Sequence, residues 1–206
     1  MVQTLQARTI DLRYLIDHFK LELVQDEQFF WEWQVGLPEL IEIERQFLDK
    51  VKAGYLNLLN YPPVLERAVQ ISVLGPMLFL ADFYLPPFHI KTEKSIEIQA
   101  EDEGVIVCGQ IDILLLKEQF WVVAIESKEF SFSTDAGLAQ LLAYMLANPN
   151  LDKPGFGLIA TGSTFAFVKL VREETPRYAT SDQFGILNRT NGLYDVFRIL
   201  KRIGQL

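Results

Sequence analysis

The sequence predicts an α/β protein with a mixed central sheet flanked by helices. Three observations predict it. Two apolar runs, 105–116 (VIVCGQIDILLL) and 120–132 (FWVVAIESKEFSF), are separated by a short Lys-Glu-Gln turn and read as a hairpin. A helix-forming stretch, TDAGLAQLLAYMLANP, follows them. Two more strand-like runs, in GFGLIATGSTFAFVKLV (155–171), follow that helix. A helical crossover of this kind lets the later strand lie parallel to an earlier one.

Taken in order, residues 1–60 read as mainly helical. Thr9-Ile10-Asp11 opens a helix through IDLRYLIDHFKLEL, and DEQFFWEWQ places four aromatics, Phe29, Phe30, Trp31 and Trp33, within nine residues. Base stacking is one use for such rings; core or interface packing is the commoner one. Leu37-Pro38-Glu39 starts a second helix, LPELIEIERQFLDKVKAGYLNLL, with Pro38 in its first turn. Its Leu40, Ile43, Phe47, Val51 and Leu58 recur at helical spacing. Asn60-Tyr61-Pro62-Pro63 stops it. A third helix follows in PPVLERAVQISVLGPMLFLADF, where Gly75-Pro76 predicts a kink or split. IKTEKSIEIQ (90–99) alternates apolar and polar and reads as the first strand of a meander, joined by an acidic EDEG turn at 101–104 to the two runs above. The next helix is capped by Ser133 or Thr134 and ended by Pro149. Then come the hairpin of 155–171, turning at Thr161-Gly162-Ser163, a further strand in YATSDQFGIL, and a terminal amphipathic helix whose Leu193, Val196, Phe197 and Leu200 share a face.

Composition sets bounds. The 206 residues fit one ordinary domain. Half are hydrophobic, with three Trp, fifteen Phe and seven Tyr, which supplies a packed core and excludes a disordered chain. The apolar stretches are interrupted by charge and too short to span a bilayer. MVQTLQARTIDLRY lacks the basic and apolar regions of a secretory signal. A cytoplasmic protein with no membrane partner is therefore expected. The single Cys108 excludes an intramolecular disulfide and a cysteine zinc cluster. Its strand position makes it a small buried hydrophobe, at home in a reducing compartment. His18 and His89 sit in unlike contexts and suggest no histidine metal site. Gly155, Gly157 and Gly162 are not followed by Gly-Lys-Ser/Thr, so no nucleotide phosphate loop is expected. The net charge of −8 argues against tight, metal-free binding of nucleic acid, because that affinity comes largely from Lys and Arg on phosphates. Carboxylates clustered around a cation are the exception, since the ion neutralises them.

The chemistry lies where polar residues break the two apolar runs. Asp112 interrupts the first; Glu126 and Lys128 interrupt the second. Charge inside a buried strand is costly unless it is paired or binds a metal. Glu126 and Lys128 are two apart and project from one face, with Ser127 opposite. The short turn brings Asp112 roughly across from Glu126. Mg²⁺ prefers hard oxygen ligands and often takes one or two carboxylates beside phosphate and water. A nearby lysine holds a water or a phosphate oxygen. The set is the minimum for metal-assisted phosphodiester hydrolysis. Glu129 faces away from Lys128 and reads as a surface acid.

The pattern Asp112 … Glu126-Ser127-Lys128 resembles the D…(D/E)-x-K signature of the PD-(D/E)XK nucleases. Their restriction-endonuclease-like core has the same order of helix, three strands, helix and strand. Within that superfamily the chain is most similar, over about residues 63–171, to the nuclease domain of type I restriction-enzyme R subunits; Ile111 stands where the motif's name has Pro. The resemblance implies a restriction-endonuclease-like nuclease domain over 62–206, with a helical N-terminal extension over 1–61. It implies that Asp112 and Glu126 hold metal with the carbonyl of Ser127, and that Glu66, on the helix before the sheet, joins them. Lys128 is then the catalytic lysine, and Gln140 orients a water or phosphate, with Tyr144 one turn on. Mg²⁺ is the implied cofactor, with Mn²⁺ as a substitute. DNA is the implied partner, together with a second copy of the chain or separate restriction-system subunits. No helicase motif is present, so any motor is absent or separate. Arg67, Lys91, Lys94, Lys169 and Arg172 flank the core, and Arg198, Lys201 and Arg202 line the terminal helix; they serve as phosphate contacts or as a solvated face. Two other readings stand beside DNA hydrolysis. One is a catalytically inactive nuclease fold acting as a binding or assembly module, suggested by the net charge and the aromatic N-terminal region. The other is a nuclease for RNA or branched DNA.

Overall fold

The computed structural model describes residues 3–62, 64–99, 105–118, 120–128 and 134–206. The chain runs β1 (Gln3–Gln6), α1 (Leu12–Phe19), β2 (Glu22–Leu23), α2 (Glu42–Leu59), α3 (Glu66–Val69), a π-helical turn (Gln70–Leu74) and α4 (Gly75–Leu80). It continues with β3 (Phe88–Gln99), β4 (Val105–Lys117), β5 (Phe120–Lys128), α5 (Thr134–Leu146), β6 (Gly155–Thr161), β7 (Thr164–Val171), β8 (Arg177–Gly185) and α6 (Leu193–Gly204). Among the described residues these strands form one mixed eight-stranded sheet, in the order β1-β4-β5-β6-β7-β8-β2, with β3 also paired to β4. The meander β3-β4-β5 is antiparallel, and the α5 crossover makes β6 parallel to β5, as the strand–helix–strand pattern predicts.

Side-chain alternation along each strand feeds two cores. Val123 and Ile125 of β5 point to the layer that holds Leu48, Val51 and Tyr55 of α2, Val73 and Met77, and Phe197 of α6. Ala124 points to the opposite layer, with Leu141, Leu142 and Tyr144 of α5 and Leu15 of α1. Among the described residues no helix is long and apolar enough to cross a membrane.

The N-terminal sixty residues are not an appended helical extension. β1 pairs with β4 and β2 with β8, so this segment supplies strands at both ends of the sheet, and α2 is part of the core. The reason is hydrogen-bond accounting: β4 and β8 leave backbone groups open that short strands satisfy. The second helix starts at Glu42, not near Pro38. Its N-terminus is set by Glu44, whose carboxylate accepts the Ile41 backbone N–H at 3.0 Å. Asp11 caps α1, accepting from the Tyr14 N–H at 2.8 Å. The expected break at Gly75-Pro76 takes the form of a π turn. Pro76 has no N–H to donate one turn back, and the Gly75 N–H reaches the carbonyl of Gln70, five residues earlier.

Most of the basic side chains and the aromatic cluster are used structurally. The Lys169 ammonium is buried against the Glu32 carboxylate at 2.5 Å and also donates to the Phe29 carbonyl at 2.7 Å. Arg172 donates to the Asn148 carbonyl, Arg198 to that of Pro38, and Lys201 to Glu44. Arg67 pairs with Glu93, and Arg202 lies over the ring of Trp31. Phe30 is buried, and Trp33 meets Phe184 edge to face. Cys108 is half-buried, not fully enclosed: its backbone pairs with β1 and β3, and it lines a cleft beside them. The EDEG turn, Glu129 and Ser133 lie outside the described residues.

Candidate active site

The site begins with an opening in one edge of β4. β3 occupies the other edge along 106–117. On the open side, residues 105–108 pair with β1, and residues 113–117 pair with β5. Residues 109–112 fall between these two partners. Buried backbone groups beside such an opening need other partners. Asp112 supplies one: its Oδ2 accepts the Ser127 N–H at 2.7 Å and the Ser127 hydroxyl at 2.8 Å. The side chain thus takes the place of a strand carbonyl where the ladder ends. Tyr144 supplies another, its hydroxyl accepting from the backbone N–H of Gln110.

The faces of β5 sort the rest. Glu126 is 1% exposed and lies on the α5 side, close enough for its charge to act on Tyr144. Ser127 lies on the α3 side. Its hydroxyl accepts from Gln70 Nε2 at 2.6 Å while donating to Asp112. Gln70, the first residue of the π turn, also reaches Glu66 Oε1 at 3.3 Å. Glu66 therefore connects to Asp112 through Gln70 and Ser127. On α5, Gln140 Nε2 donates to the Tyr144 hydroxyl at 2.5 Å, as the i, i+4 spacing predicts. Gly109 makes this approach feasible, because a Cβ there would stand 2.6 Å from Tyr144 Cε1 and 3.0 Å from the Ala7 Cβ.

Asp112, Gln140 and Tyr144, with Gln110 and Arg8, line a cleft of about 520 Å³; Glu126 and Ser127 lie behind its wall. Its electrostatics are read at the Tyr144 hydroxyl, whose pKa is pushed well up, first by burial and next by the charge of Glu126, with Asp112 adding to it. Hydrogen bonds from Gln140 and Gln110 oppose the rise. Two carboxylates therefore act on one point. The carboxylates of Asp112 and Glu126 and the carbonyl of Ser127, next to Glu126 on β5, are hard oxygens of the kind that suits Mg²⁺.

No protein-family model matches the chain, and no curated protein matches it.

Asp112, Ser127, Glu126, Gln140 and Tyr144 are brought together; Glu66 adjoins them through Gln70. Among the described residues no three His, Cys, Asp or Glu side chains stand close enough to hold an ion as they are. The backbone of Lys128 pairs with Thr161 on β6; its side chain lies outside the described set. Sequence reasoning missed Gln70, Gly109, Gln110 and Arg8. Gln70 had a signal, one helical turn after Glu66. Arg8 had none, because its place depends on β1 joining β4.

Proposed function

We propose that this protein is a metal-dependent nuclease that hydrolyses DNA phosphodiester bonds. The observation that carries the reading is Asp112, seated on the Ser127 N–H and hydroxyl in a cleft it lines with Gln140 and Tyr144 where β4 changes partners, with the charge of the buried Glu126 also acting on Tyr144. Asp112, Glu126 and the Ser127 carbonyl would hold Mg²⁺. When bound, Mg²⁺ supplies Lewis acidity to a phosphoryl oxygen and acidifies a coordinated water. Asp112 is oriented by the two Ser127 donors on Oδ2, which leaves Oδ1 for the ion. Glu66 acts one step back, fixing Gln70 and through it Ser127. Gln140, braced by Tyr144, orients a water or phosphate oxygen. Lys128, next on the strand face of Glu126, positions the attacking water and stabilises developing charge.

Replacing Lys128 by Ala is expected to remove Mg²⁺-dependent cleavage of plasmid and linear DNA, by about a thousandfold or more, with an unchanged circular dichroism spectrum. Cleavage at the wild-type rate would refute the assignment. A catalytically silent binding module is the second reading. It is favoured by the two donors already seated on Asp112 Oδ2 and by the net charge of −8. It predicts no divalent-cation uptake and no cleavage of any DNA form.

A further inference from the structure

Among the described residues, the cleft wall beside Asp112 contains one cationic side chain, Arg8, contributed by the N-terminal segment. It lies in the 3₁₀ turn Ala7–Thr9 that follows β1. The turn is held firmly. Ala7 is fully buried, the Thr9 hydroxyl donates to the Gln6 carbonyl at 2.8 Å, and β1 is in register with residues 105–108 of β4. The absence of a side chain at Gly109 lets the turn and Tyr144 pack against β4 together. The Arg8 backbone is thus fixed near the reacting groups, while its side chain is exposed and makes no ion pair among the described residues. Among the described residues the rest of the wall offers neutral donors and acceptors, Gln6, Ser95, Gln110, Gln140 and Tyr144, and two acids, Asp112 and Glu97.

A cation on the wall of a cleft that carries two acids offsets their repulsion of an anionic substrate. A guanidinium suits a phosphate, because its planar fork donates two parallel hydrogen bonds to two oxygens. We infer that Arg8 anchors a substrate phosphate flanking the scissile one, an inference that rests on the nuclease reading above. The N-terminal strand then belongs to the substrate site, and the contact is independent of base sequence.

The test uses the full chain and a short fluorescein-labelled DNA duplex. Steady-state cleavage in Mg²⁺ is measured for wild type, Arg8→Ala and Arg8→Lys, and duplex affinity is measured by anisotropy at several salt concentrations in the cleavage-deficient Lys128→Ala background. Arg8→Ala is expected to raise KM about tenfold with kcat within about twofold. It should also lower the salt slope of binding by about one. Arg8→Lys should recover the salt slope and only part of the KM, since it keeps the charge and loses the fork. Wild-type KM and salt slope in Arg8→Ala overturn the inference and leave the nuclease reading standing, as does a fall in kcat at constant KM. A wild-type protein that cleaves no DNA overturns both.

Discussion

Asp112→Asn is expected to lower Mg²⁺-dependent DNA cleavage by at least about a thousandfold, roughly 4 kcal/mol of transition-state stabilisation, while thermal stability changes little. The two effects separate because Asp112 does two things. Its Oδ2 accepts the Ser127 N–H and hydroxyl at the point where β4 and β5 part, and an asparagine carbonyl keeps an acceptor there. Its negative charge, acting with that of Glu126 on the Tyr144 hydroxyl, is what a cation would recognise, and asparagine removes it. Asp112→Ala should behave differently. It leaves a buried backbone donor at Ser127 without its acceptor, a loss of about 1–3 kcal/mol in stability on top of the lost activity. Thermal melts and single-turnover cleavage of the two variants check both halves. Equal cleavage by Asp112→Asn and wild type would exclude Asp112 from the chemistry.

Phe197→Ala is expected to cost about 3–5 kcal/mol and to shift one cooperative urea transition without splitting it. Phe197 is fully buried in α6, in the same core layer as Leu48, Val51 and Tyr55 of α2. The loop before α6 adds polar ties to α2: Asn191 Nδ2 donates to the Leu48 carbonyl at 3.1 Å, and the Lys52 ammonium donates to that of Asn188 at 2.6 Å. α2 and α6 therefore pack together in one core layer against the sheet. An independent N-terminal unit would unfold in a separate step, insensitive to Phe197. Fluorescence of the tryptophans at positions 31, 33 and 121, compared with far-ultraviolet circular dichroism, distinguishes the two cases.

What the sequence made legible was local and periodic. The alternation in 90–99, the apolar runs around Asp112 and Glu126, the α5 crossover and the face of α6 all appear where the pattern placed them: α6 buries one stripe, while the runs of β4 and β5 and the apolar α5 are buried on more than one side. Leu193, Val196, Phe197 and Leu200 are fully buried. The start of α2 was misplaced because Pro38 suits a first helical turn, whereas the cap is formed by Glu44 reaching back to Ile41. The short β1 and β2 carry too few residues to show a period, and only the open edges of β4 and β8 make them strands. For the site, Glu126 and Ser127 on opposite faces followed from strand geometry, and Gln140 with Tyr144 from helical spacing. The opening of the β4 edge at 109–112 did not, since it depends on where two partner strands stop. Lys169 illustrates the same limit. As a sequence it is one more base for phosphates; in the fold it is a buried partner of Glu32.

The proposed chemistry requires Asp112 and Glu126 to form a single cation site. Calorimetric titration of Mn²⁺ into wild type, Asp112→Asn and Glu126→Gln tests that most directly. Saturable uptake by wild type and its loss in each variant is the predicted result; no uptake by wild type, or uptake unchanged in both variants, would contradict it.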